Sequence, residues 1–235
     1  MAKSKTLLSI LIPVYNEETT ISEVVKRVMA VKLPSLEREL IIVNDGSSDK
    51  TLGILDTYNN SKQIKIYHHT KNKGKGAAIR TCILKAKGEI LIIQDGDLEL
   101  DPNDYVNILQ PIIKDKKMVV YGSRFLAKPR KKLPWVTYIG NKILTFITNI
   151  LYGSHLTDMA TAYKAFQKKV LSNIVVESNG FEVDAEITSK ILKNKHKIIE
   201  VPIKYFPRTI KEGKKLKIFD AISIIFTLLK LRFSP

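Results

Sequence analysis

The sequence predicts an α/β fold with a mainly parallel central sheet, helices on both faces and a C-terminal amphipathic helix. Short apolar runs rich in β-branched residues alternate with longer runs of helical periodicity. The short runs are almost continuously apolar, which is typical of parallel strands that are buried on both faces. At 235 residues, the chain is long enough for one large domain, so we expect residues 1–235 to form a single domain.

The first half of the chain carries the strand and helix patterns in regular alternation. The predicted strands are "LLSILIPVY", "ELIIVND", "IKIYHH", "EILIIQD" and "MVVYGSRF". The predicted helices between them are "ETTISEVVKRVMAV", "KTLGILDTYNN", "KGAAIRTCILKA" and "PNDYVNILQPII". This order predicts repeated βαβ units, because parallel strands need a crossover connection that is usually a helix.

The second half departs from this rhythm after residue 127. A basic segment, "AKPRKKLP", precedes an amphipathic helix in "YIGNKILTFITNILYG", whose polar residues Asn141, Lys142, Thr145 and Asn149 cluster on one side. A further helix is predicted in "FEVDAEITSKILKN" and a strand in "HKIIEVPIKYFPR". The sequence contains no repeat and no Gly/Ser linker that would mark a domain boundary.

The C-terminal segment "IFDAISIIFTLLKLRF" predicts a helix with a wide apolar face. Its polar residues Asp220, Ser223, Thr227 and Lys230 recur at steps of three and four, so they form one narrow stripe. The segment is too short and too interrupted to span a bilayer, which takes about 20 mainly apolar residues. It packs on the core or a partner subunit, or it lies in a membrane interface. Residues 127–152 and 218–235 are therefore expected to face a membrane or a partner.

Composition limits the cell compartment and the partners. The 39 Lys and Arg residues exceed the 23 Asp and Glu residues, giving a formal charge of +16 that favours nucleic acid, an anionic membrane or a phosphorylated substrate. The single cysteine, Cys82, excludes an intramolecular disulfide, and the apolar N-terminal run breaks at Pro13 without a cleavage site. We therefore expect a cytoplasmic protein.

Polar clusters follow the predicted strands and indicate where a ligand binds. They are Asn16-Glu17, Asn44-Asp45-Gly46, His68-His69, Asp95-Gly96-Asp97 and Gly122-Ser123-Arg124. In open α/β sheets, ligands bind beyond the carboxyl ends of the strands, so these clusters are expected to meet in one site.

The densest cluster is "IIQDGDLELDP", residues 92–102, where a buried strand runs into four carboxylates. Two aspartates one residue apart need protonation, a basic partner or a divalent cation to lie close together. Mg²⁺ and Mn²⁺ prefer hard oxygen ligands and are often held by one or two carboxylates plus substrate phosphates. An isolated D-x-D is more often a solvated turn, so the surrounding motifs decide between these interpretations.

Five motifs follow one another along the chain, namely "ILIPVYNEE", "IIVNDGSSDKT", "NKGKGAAIR", "QDGDLELDP" and "VYGSRF". In this order they resemble the family 2 glycosyltransferases of the GT-A fold, over residues 7–220. Further segments resemble the branch that transfers a sugar to a polyprenyl phosphate, such as the dolichol-phosphate mannose synthases and the bacterial polyprenyl-phosphate glycosyltransferases: "GNKILT", "LTDMATAYKAF", "GFEVDAEIT" and "EVPIKYFPRTIKEGKKLKIFDAI". Gly96 and Ala160 depart from that pattern, since alanine and an acidic residue are frequent there. The change at Ala160 concerns contacts with the acceptor or the sugar.

The resemblance implies roles for residues on the donor side. The nucleotide-sugar would contact Pro13, Tyr15, Glu17, Asp45 and Asp95. Asp95, Asp97 and Glu99 would be the ligands of Mg²⁺ or Mn²⁺, which neutralises the departing diphosphate.

On the acceptor side, the resemblance places the lipid phosphate against Ser123, Arg124, Arg208 and Lys214. Asp97, Arg124 and Arg208 would then be the catalytic residues. Glu182 and Glu186 share a predicted helical face and could point into the cleft, with Asp184 facing away; an exposed acidic helix start explains them equally well. The four histidines, His68, His69, His155 and His196, form no triad and are expected at the surface or in loops.

The function that the resemblance implies is transfer of a sugar, with inversion, from GDP-mannose or a UDP-hexose to a polyprenyl or dolichyl phosphate. The alternative is a family 2 enzyme with a polysaccharide or glycan acceptor, and a remote one is a non-catalytic nucleic-acid-binding protein. The lysines are scattered and no basic-aromatic motif is present, so we expect no nucleic-acid partner. The enzyme would bind peripherally to the cytoplasmic face of a membrane, with an anchoring subunit or a homo-oligomer as possible partners.

Overall fold

The computed structural model describes residues 5–127, 135–208 and 218–234. The strands in these ranges are β1 (Thr6–Val14), β2 (Leu36–Asn44), β3 (Ile64–His68), β4 (Ile90–Ile93), β5 (Val119–Ser123), β6 (Lys164–Gln167) and β7 (Ile198–Pro202). The helices are α1 (Ile21–Ala30), α2 (Thr51–Asp56), α3 (Lys75–Lys85), α4 (Tyr105–Ile113), α5 (Trp135–Tyr152), α6 (Lys168–Leu171), α7 (Val183–Lys193) and α8 (Ile218–Phe233).

The strands form one sheet in the order β3-β2-β1-β4-β6-β5-β7. All neighbouring strands are parallel except β6, which is antiparallel to both β4 and β5. Apolar side chains on the two faces enter separate clusters: Ile10 and Ile12 of β1 contribute to one, and Leu11 contributes to the other. The predicted mainly parallel α/β fold, with strands buried on both faces, is confirmed.

Strand β6 has no counterpart among the predicted strands. Its sequence, KAFQ, is short and begins with Lys164, a residue that rarely lies in a sheet interior. Lys164 is nevertheless fully buried, because its ammonium group pairs with Asp184 of α7. That contact joins residues 20 positions apart, so local sequence patterns carry no signal of it.

Helix α5 turns its polar residues inward. Asn141, Thr145 and Thr148 are buried. Thr145 Oγ1 accepts a hydrogen bond from the backbone N–H of Met159, and Asn149 bonds to both the N–H and the carbonyl of Leu156. The polar face therefore holds the loop that follows the helix, and the opposite face is left exposed with apolar side chains, namely Ile139, Ile143, Phe146 and Ile150.

Helix α8 packs on α5 and α7 through Ile224 and Leu228, which are buried in a third apolar cluster. Its other side exposes Ile222, Phe226, Leu229 and Phe233, at the same spacing as the exposed apolar residues of α5. We call these eight residues the apolar platform. No helix in the described ranges combines the length and the apolarity that crossing a bilayer requires.

Candidate active site

A cavity of about 520 Å³ opens where β1, β2, β4 and β5 end, and we call it the cleft. Its lining includes residues from all of the predicted strand-end clusters except the histidines. From these clusters it includes Glu17, Asp45, Asp95, Gly96, Asp97 and Arg124. Pro13, Tyr15, Glu99 and Arg208 line it as well. The other wall is formed by residues of α5, of the 159–162 segment and of the start of α7, including Thr137, Asn141, Met159, Phe181 and Asp184.

The two aspartates of the D-x-D motif are each paired with a basic side chain. Lys75 Nζ lies 2.9 Å from Asp95 Oδ1, and Arg208 Nη2 lies 2.6 Å from Asp97 Oδ2. Arg208 Nη1 also donates to Glu17 Oε2 at 3.0 Å. Burial, together with the charge of Asp95, raises the pKa of Asp97 to about 7 despite the opposing charge of Arg208. The motif therefore carries more negative charge than its immediate surroundings stabilise.

Glu99 is engaged differently from the two aspartates. Its Oε2 accepts a hydrogen bond from Tyr205 Oη at 2.9 Å, and its Oε1 accepts one from the backbone N–H of Arg208 at 2.7 Å. Both carboxylate oxygens thus anchor the segment that brings Arg208 to the cleft. In this arrangement, Glu99 positions Arg208 rather than presenting a third oxygen next to the aspartates.

Asp95 and Asp97 fit a divalent cation of the Mg²⁺ type that is bound together with a substrate. Within the described ranges, no three Asp, Glu, His or Cys side chains converge as a complete metal-binding group. Mg²⁺ usually keeps one or two protein carboxylates and completes its octahedron with phosphate and water oxygens. The burial of Asp97 beside the charge of Asp95, which raises the pKa of Asp97 to about 7, supports a cation here, since an added positive charge would relieve the repulsion between the two carboxylates.

Asp45 lines the cleft, yet its oxygens hold the neighbouring loop. Asp45 Oδ2 accepts from the backbone N–H of Gly74 at 2.7 Å, and the N–H of Lys73 bonds to both oxygens. His69 Nδ1 lies 2.6 Å from Asp45 Oδ1 and its Nε2 lies 2.9 Å from Thr81 Oγ1. His69 lies in the loop after β3, but its ring is only 9% exposed and links Asp45 to α3.

The glycines of "NKGKG" place Lys75 in the cleft. Gly74 has a φ of 97°, and a Cβ there would lie 2.2 Å from the carbonyl oxygen of Asn179. A Cβ on Gly76 would lie 2.3 Å from the carbonyl oxygen of Ser178. Only glycine allows this close approach of the two backbones, which delivers Lys75 between Asp95 and the start of α7.

Arg124 is held by a buried carboxylate. Its Nε and Nη2 each donate to Asp158 at 2.7 Å, and the Asp158 side chain is fully buried. The backbone N–H groups of Thr157 and Asp158 in turn donate to Glu200, while Ser123 Oγ lies 2.6 Å from Thr157 Oγ1. Arginine has five N–H donors, so this bidentate pair leaves others for a ligand. Lys214, the remaining predicted phosphate contact, lies outside the described residues.

The acidic residues of α7 are arranged in the opposite way to the prediction. Asp184 lines the cleft, with Oδ1 at 2.6 Å from Lys164 Nζ. Glu186 is buried away from the cleft and accepts from the backbone N–H groups of Glu177 and Ser178 and from Lys190, while Glu182 accepts from the N–H of Gly180. The spacing places Glu182 and Glu186 on one face, but the docking of α7 on the sheet turns that face away from the cleft.

Sequence patterns gave no role to Lys75, Asp158, Lys164 and Asp184, although the structure brings Lys75 and Asp184 into the cleft and places Asp158 and Lys164 directly behind it. A lysine between two glycines at a helix start was a weak signal for Lys75. A lysine inside the apolar run "AYKAF" was the available signal for Lys164. Asp158 carries no local signal, because its partner Arg124 is 34 residues away.

Comparison with known proteins agrees with the geometry. The model of the family described as "Glycosyl transferase family 2" matches residues 9–175. The chain is 32% identical to UDP-N-acetylglucosamine--dolichyl-phosphate N-acetylglucosaminyltransferase of Methanococcus voltae, with 96% of each chain covered. It is 27% identical to dolichol-phosphate mannosyltransferase of Pyrococcus furiosus, over 95% of this chain and 64% of that protein.

Among solved structures, the fold is similar to that of glucosyl-3-phosphoglycerate synthase from Mycobacterium tuberculosis in complex with Mn²⁺, UDP and phosphoglyceric acid. The TM-score is 0.73 at 16% identity, with 98% of this chain and 80% of that chain covered. The seven-stranded, mostly parallel sheet with helices around it is accordingly a GT-A fold. From the match over most of its length, the chain belongs to glycosyl transferase family 2.

Proposed function

We propose that this enzyme transfers a sugar from a nucleotide-sugar to a polyprenyl phosphate, and that residues 1–235 form its single catalytic domain. The observation that carries the proposal is the two-sided character of α5. Thr137, Asn141 and Leu144 line the cleft, while Ile143 and Phe146 are exposed on the other side of the helix. An acceptor with a charged head group and an apolar tail needs a polar cleft beside an apolar surface.

The donor would occupy the half of the cleft between β1, β2 and β4. Pro13, Tyr15, Glu17 and Asp45 line this half and would surround the base and ribose. The diphosphate would lie at Asp95 and Asp97, together with Mg²⁺ or Mn²⁺, which supplies positive charge to the phosphate oxygens as they take up negative charge. The curated relatives named above use UDP-N-acetylglucosamine and dolichyl phosphate, or dolichol phosphate and mannose, as their names state.

In the reaction, an oxygen of the acceptor phosphate attacks the anomeric carbon of the sugar. The new C–O bond forms as the bond to the nucleoside diphosphate breaks, and the diphosphate leaves with the electron pair, so the anomeric centre inverts. No proton has to be removed from the nucleophile, because a phosphate monoester is already an anion near neutral pH. This is consistent with the lack of a histidine beside the cleft in a base position among the described residues.

The acceptor phosphate would lie against Arg124 and Arg208, with Lys214 as a further contact. Ser123, predicted to touch the phosphate, is fully buried and does not line the cleft, so it would act only by holding Thr157. Asp158 holds the Arg124 guanidinium in place, so a phosphate would meet a preorganised donor group. Arg208 Nε is buried and has no hydrogen-bond partner among the described residues, which leaves a donor available for a phosphate. Arg208 also touches Asp97, so it would link the acceptor side to the diphosphate side.

The apolar platform would keep the enzyme on the cytoplasmic face of a membrane as a peripheral protein. Its eight exposed apolar residues lie on two helices that contact each other, and the net charge of +16 favours an anionic surface. A homo-oligomer or an anchoring subunit would cover the same platform and is the competing occupant. Nucleic acid is disfavoured as a ligand of the cleft, because carboxylates line it.

A transfer assay with matched acceptors tests the proposed function. The protein is incubated with Mn²⁺ and UDP-N-acetylglucosamine, UDP-glucose or GDP-mannose, and with a short polyprenyl phosphate, the corresponding polyprenol or an oligosaccharide. We expect a glycolipid only with the polyprenyl phosphate. Transfer to the oligosaccharide alone would instead support a family 2 enzyme with a glycan acceptor, and transfer to the unphosphorylated polyprenol would contradict the role of the phosphate.

A further inference from the structure

The wall of the cleft opposite the nucleotide side contains a buried ion pair that the proposed mechanism does not use. Lys164 of β6 is fully buried, and its ammonium group donates to the carbonyl of Thr161 and to Asp184 Oδ1. The ring of Tyr121 lies on its other side, with the ammonium 5.0 Å from the ring centroid. Burying an ammonium is costly, and replacing such a pair with apolar residues is often neutral or stabilising. Stability alone is therefore a weak reason for this pair.

The pair leaves one carboxylate oxygen of Asp184 facing the cleft. Oδ1 is occupied by Lys164, whereas Oδ2 accepts no hydrogen bond within the described part of the chain. Lys75 Nζ lies 3.8 Å from Oδ2, which is longer than a hydrogen bond. Asp184 stays ionised, because Lys164 and Lys75 outweigh the effect of burial and lower its pKa. A charged acceptor with unused capacity in the wall of the cleft can accept a hydrogen bond from a ligand that displaces water.

The position of Asp184 relative to Asp95 indicates which part of a ligand supplies that donor. The ammonium of Lys75 contacts Asp95 at 2.9 Å and lies 3.8 Å from Asp184 Oδ2, so both carboxylates border the same small space. The diphosphate would lie at Asp95, and the sugar is the group attached next to it. Phe181, which also lines the cleft, offers an apolar ring on the same side.

We propose that Asp184 is a specificity-determining residue, whose Oδ2 accepts a hydrogen bond from a hydroxyl group of the donor sugar, and that Lys164 is the residue that positions it. This inference rests on the proposed function only in that the ligand is a nucleotide-sugar. It is independent of the acceptor, and it assigns the sugar to the space between Asp95, Lys75 and Asp184.

Asp184→Asn tests the assignment, because it replaces one carboxylate oxygen with an NH₂ group and keeps the size of the side chain. Lys164 would hold the amide oxygen of the new side chain, so the NH₂ group would take the place of Oδ2 and replace an acceptor with a donor. Affinities for UDP and UDP-glucose, or for GDP and GDP-mannose, are measured by calorimetry with Mn²⁺ and without acceptor. We expect the affinity for the free nucleoside diphosphate to stay within about twofold, and the affinity for the nucleotide-sugar to fall about 10- to 150-fold, as for the loss of a charge-assisted hydrogen bond.

Two further variants separate recognition from folding. Glu182→Gln is the matched control, since it removes a carboxylate two residues away that faces away from the cleft, and it should change neither affinity. The double variant Lys164→Met/Asp184→Asn removes both charges, so that neither is buried alone. It should fold and should also lose affinity selectively for the nucleotide-sugar, because a neutral amide replaces the charged acceptor in either orientation of the side chain. The differences in kcat/KM between UDP-glucose, UDP-galactose and UDP-N-acetylglucosamine should also become smaller in Asp184→Asn and in the double variant.

Two binding results would overturn the inference. Equal losses for the free nucleotide and the nucleotide-sugar would assign Asp184 to the diphosphate side. Wild-type affinity for the nucleotide-sugar in the double variant would make the pair purely structural. Selective loss without transfer to any polyprenyl phosphate would retain the inference and reject the proposed acceptor, whereas a wild-type protein that binds no nucleotide-sugar would reject both.

Discussion

At the scale of single residues, the cleft is organised by pairs between carboxylates and basic side chains. Lys75 pairs with Asp95, Arg208 with Asp97 and Glu17, Arg124 with Asp158, and Lys164 with Asp184. Such pairs fix side chains that would otherwise repel one another, and removing one partner leaves a buried charge uncompensated. Conservative, isosteric substitutions are therefore the appropriate probes of this site.

Asp97→Asn should abolish metal-dependent donor binding while the protein remains folded. The amide keeps the size of the side chain, but it removes the charge that would attract the cation. Removing a residue that only hydrogen-bonds to a metal ligand typically lowers metal affinity about 10- to 100-fold. Asp97 would be a ligand itself, so we expect the Mn²⁺-dependent affinity for UDP or GDP to fall by at least about 100-fold. The measurement is calorimetry with and without Mn²⁺.

Asp101→Asn is the control for Asp97→Asn. Asp101 belongs to the same acidic run, but its carboxylate accepts from the backbone N–H of Asn103 at the start of a short 3₁₀ turn, and it does not line the cleft. We expect wild-type affinity for this variant. Near-normal turnover of Asp97→Asn with Mn²⁺ or Mg²⁺ would place the metal elsewhere.

At the scale of secondary-structure elements, α5 and α7 do most to shape the second wall of the cleft. The inward polar face of α5 holds the 154–159 loop, which carries Asp158 and so positions Arg124. The first turns of α7 place Asp184 in the cleft and use Glu186 to bind the 177–178 backbone, which precedes the Asn179 carbonyl packed on Gly74. Each helix thus positions the site by holding a loop.

Glu186→Gln should destabilise the protein and weaken the dependence of its stability on acid pH. Burial opposes ionisation of Glu186, but the hydrogen bonds from Lys190 and from two backbone N–H groups prevail and lower its pKa. A lowered folded-state pKa contributes stability above the ordinary glutamate pKa, and this contribution is lost as the pH falls through the folded value. We expect a loss of about 1–3 kcal/mol at pH 7, with a smaller difference from wild type near pH 3.

The measurement for Glu186→Gln is the free energy of unfolding in urea at several pH values. Glu177→Gln is the control, since the Glu177 side chain is 74% exposed and makes only a long contact to Lys190. The free energy of unfolding of Glu177→Gln should equal that of the wild type at every pH. A constant difference between Glu186→Gln and the wild type across the pH range would contradict the ionised hydrogen-bond network.

At the scale of the whole molecule, an excess of positive charge accompanies the apolar platform. Neither feature follows from the needs of the sheet, because Ile224 and Leu228 already supply the inward contacts of α8, and the strands are buried by other residues. Removing α8 would also remove these buried contacts. Point substitutions on the platform are consequently a sharper probe of membrane binding than truncation.

Phe146→Ser/Phe226→Ser should reduce sedimentation with anionic liposomes, because each exposed phenyl ring lost from an interface forfeits about 1.5–3 kcal/mol. Wild-type binding should also weaken as salt rises, since charge interactions are screened beyond about 10 Å at 0.1 M ionic strength. Leu84→Ser is the control, because Leu84 is 77% exposed on α3, outside the platform. If the wild type does not bind liposomes but forms dimers, and the double variant is monomeric, the apolar platform is a protein interface.

The sequence by itself determined the order of the strands and helices along the first half of the chain, because apolar periodicity and strand-end polar clusters are local signals. It also determined the family, since the ordered motifs from "ILIPVYNEE" to "VYGSRF" match the family over most of the chain. The gathering of Pro13, Asp45 and Asp95 at one edge followed from parallel topology alone, because parallel strands end at the same edge of a sheet.

Only the tertiary structure decided which side chains face the cleft on its second wall. Asp184 rather than Glu182 and Glu186 enters it, because the docking of α7, not the helical period, sets which face points inward. The pairs Lys164–Asp184 and Arg124–Asp158, and the outward apolar face of α5, likewise depend on contacts between residues 20 to 34 positions apart or on adjacent helices. Local patterns cannot encode such contacts, because their free energy arises only when distant segments are buried together.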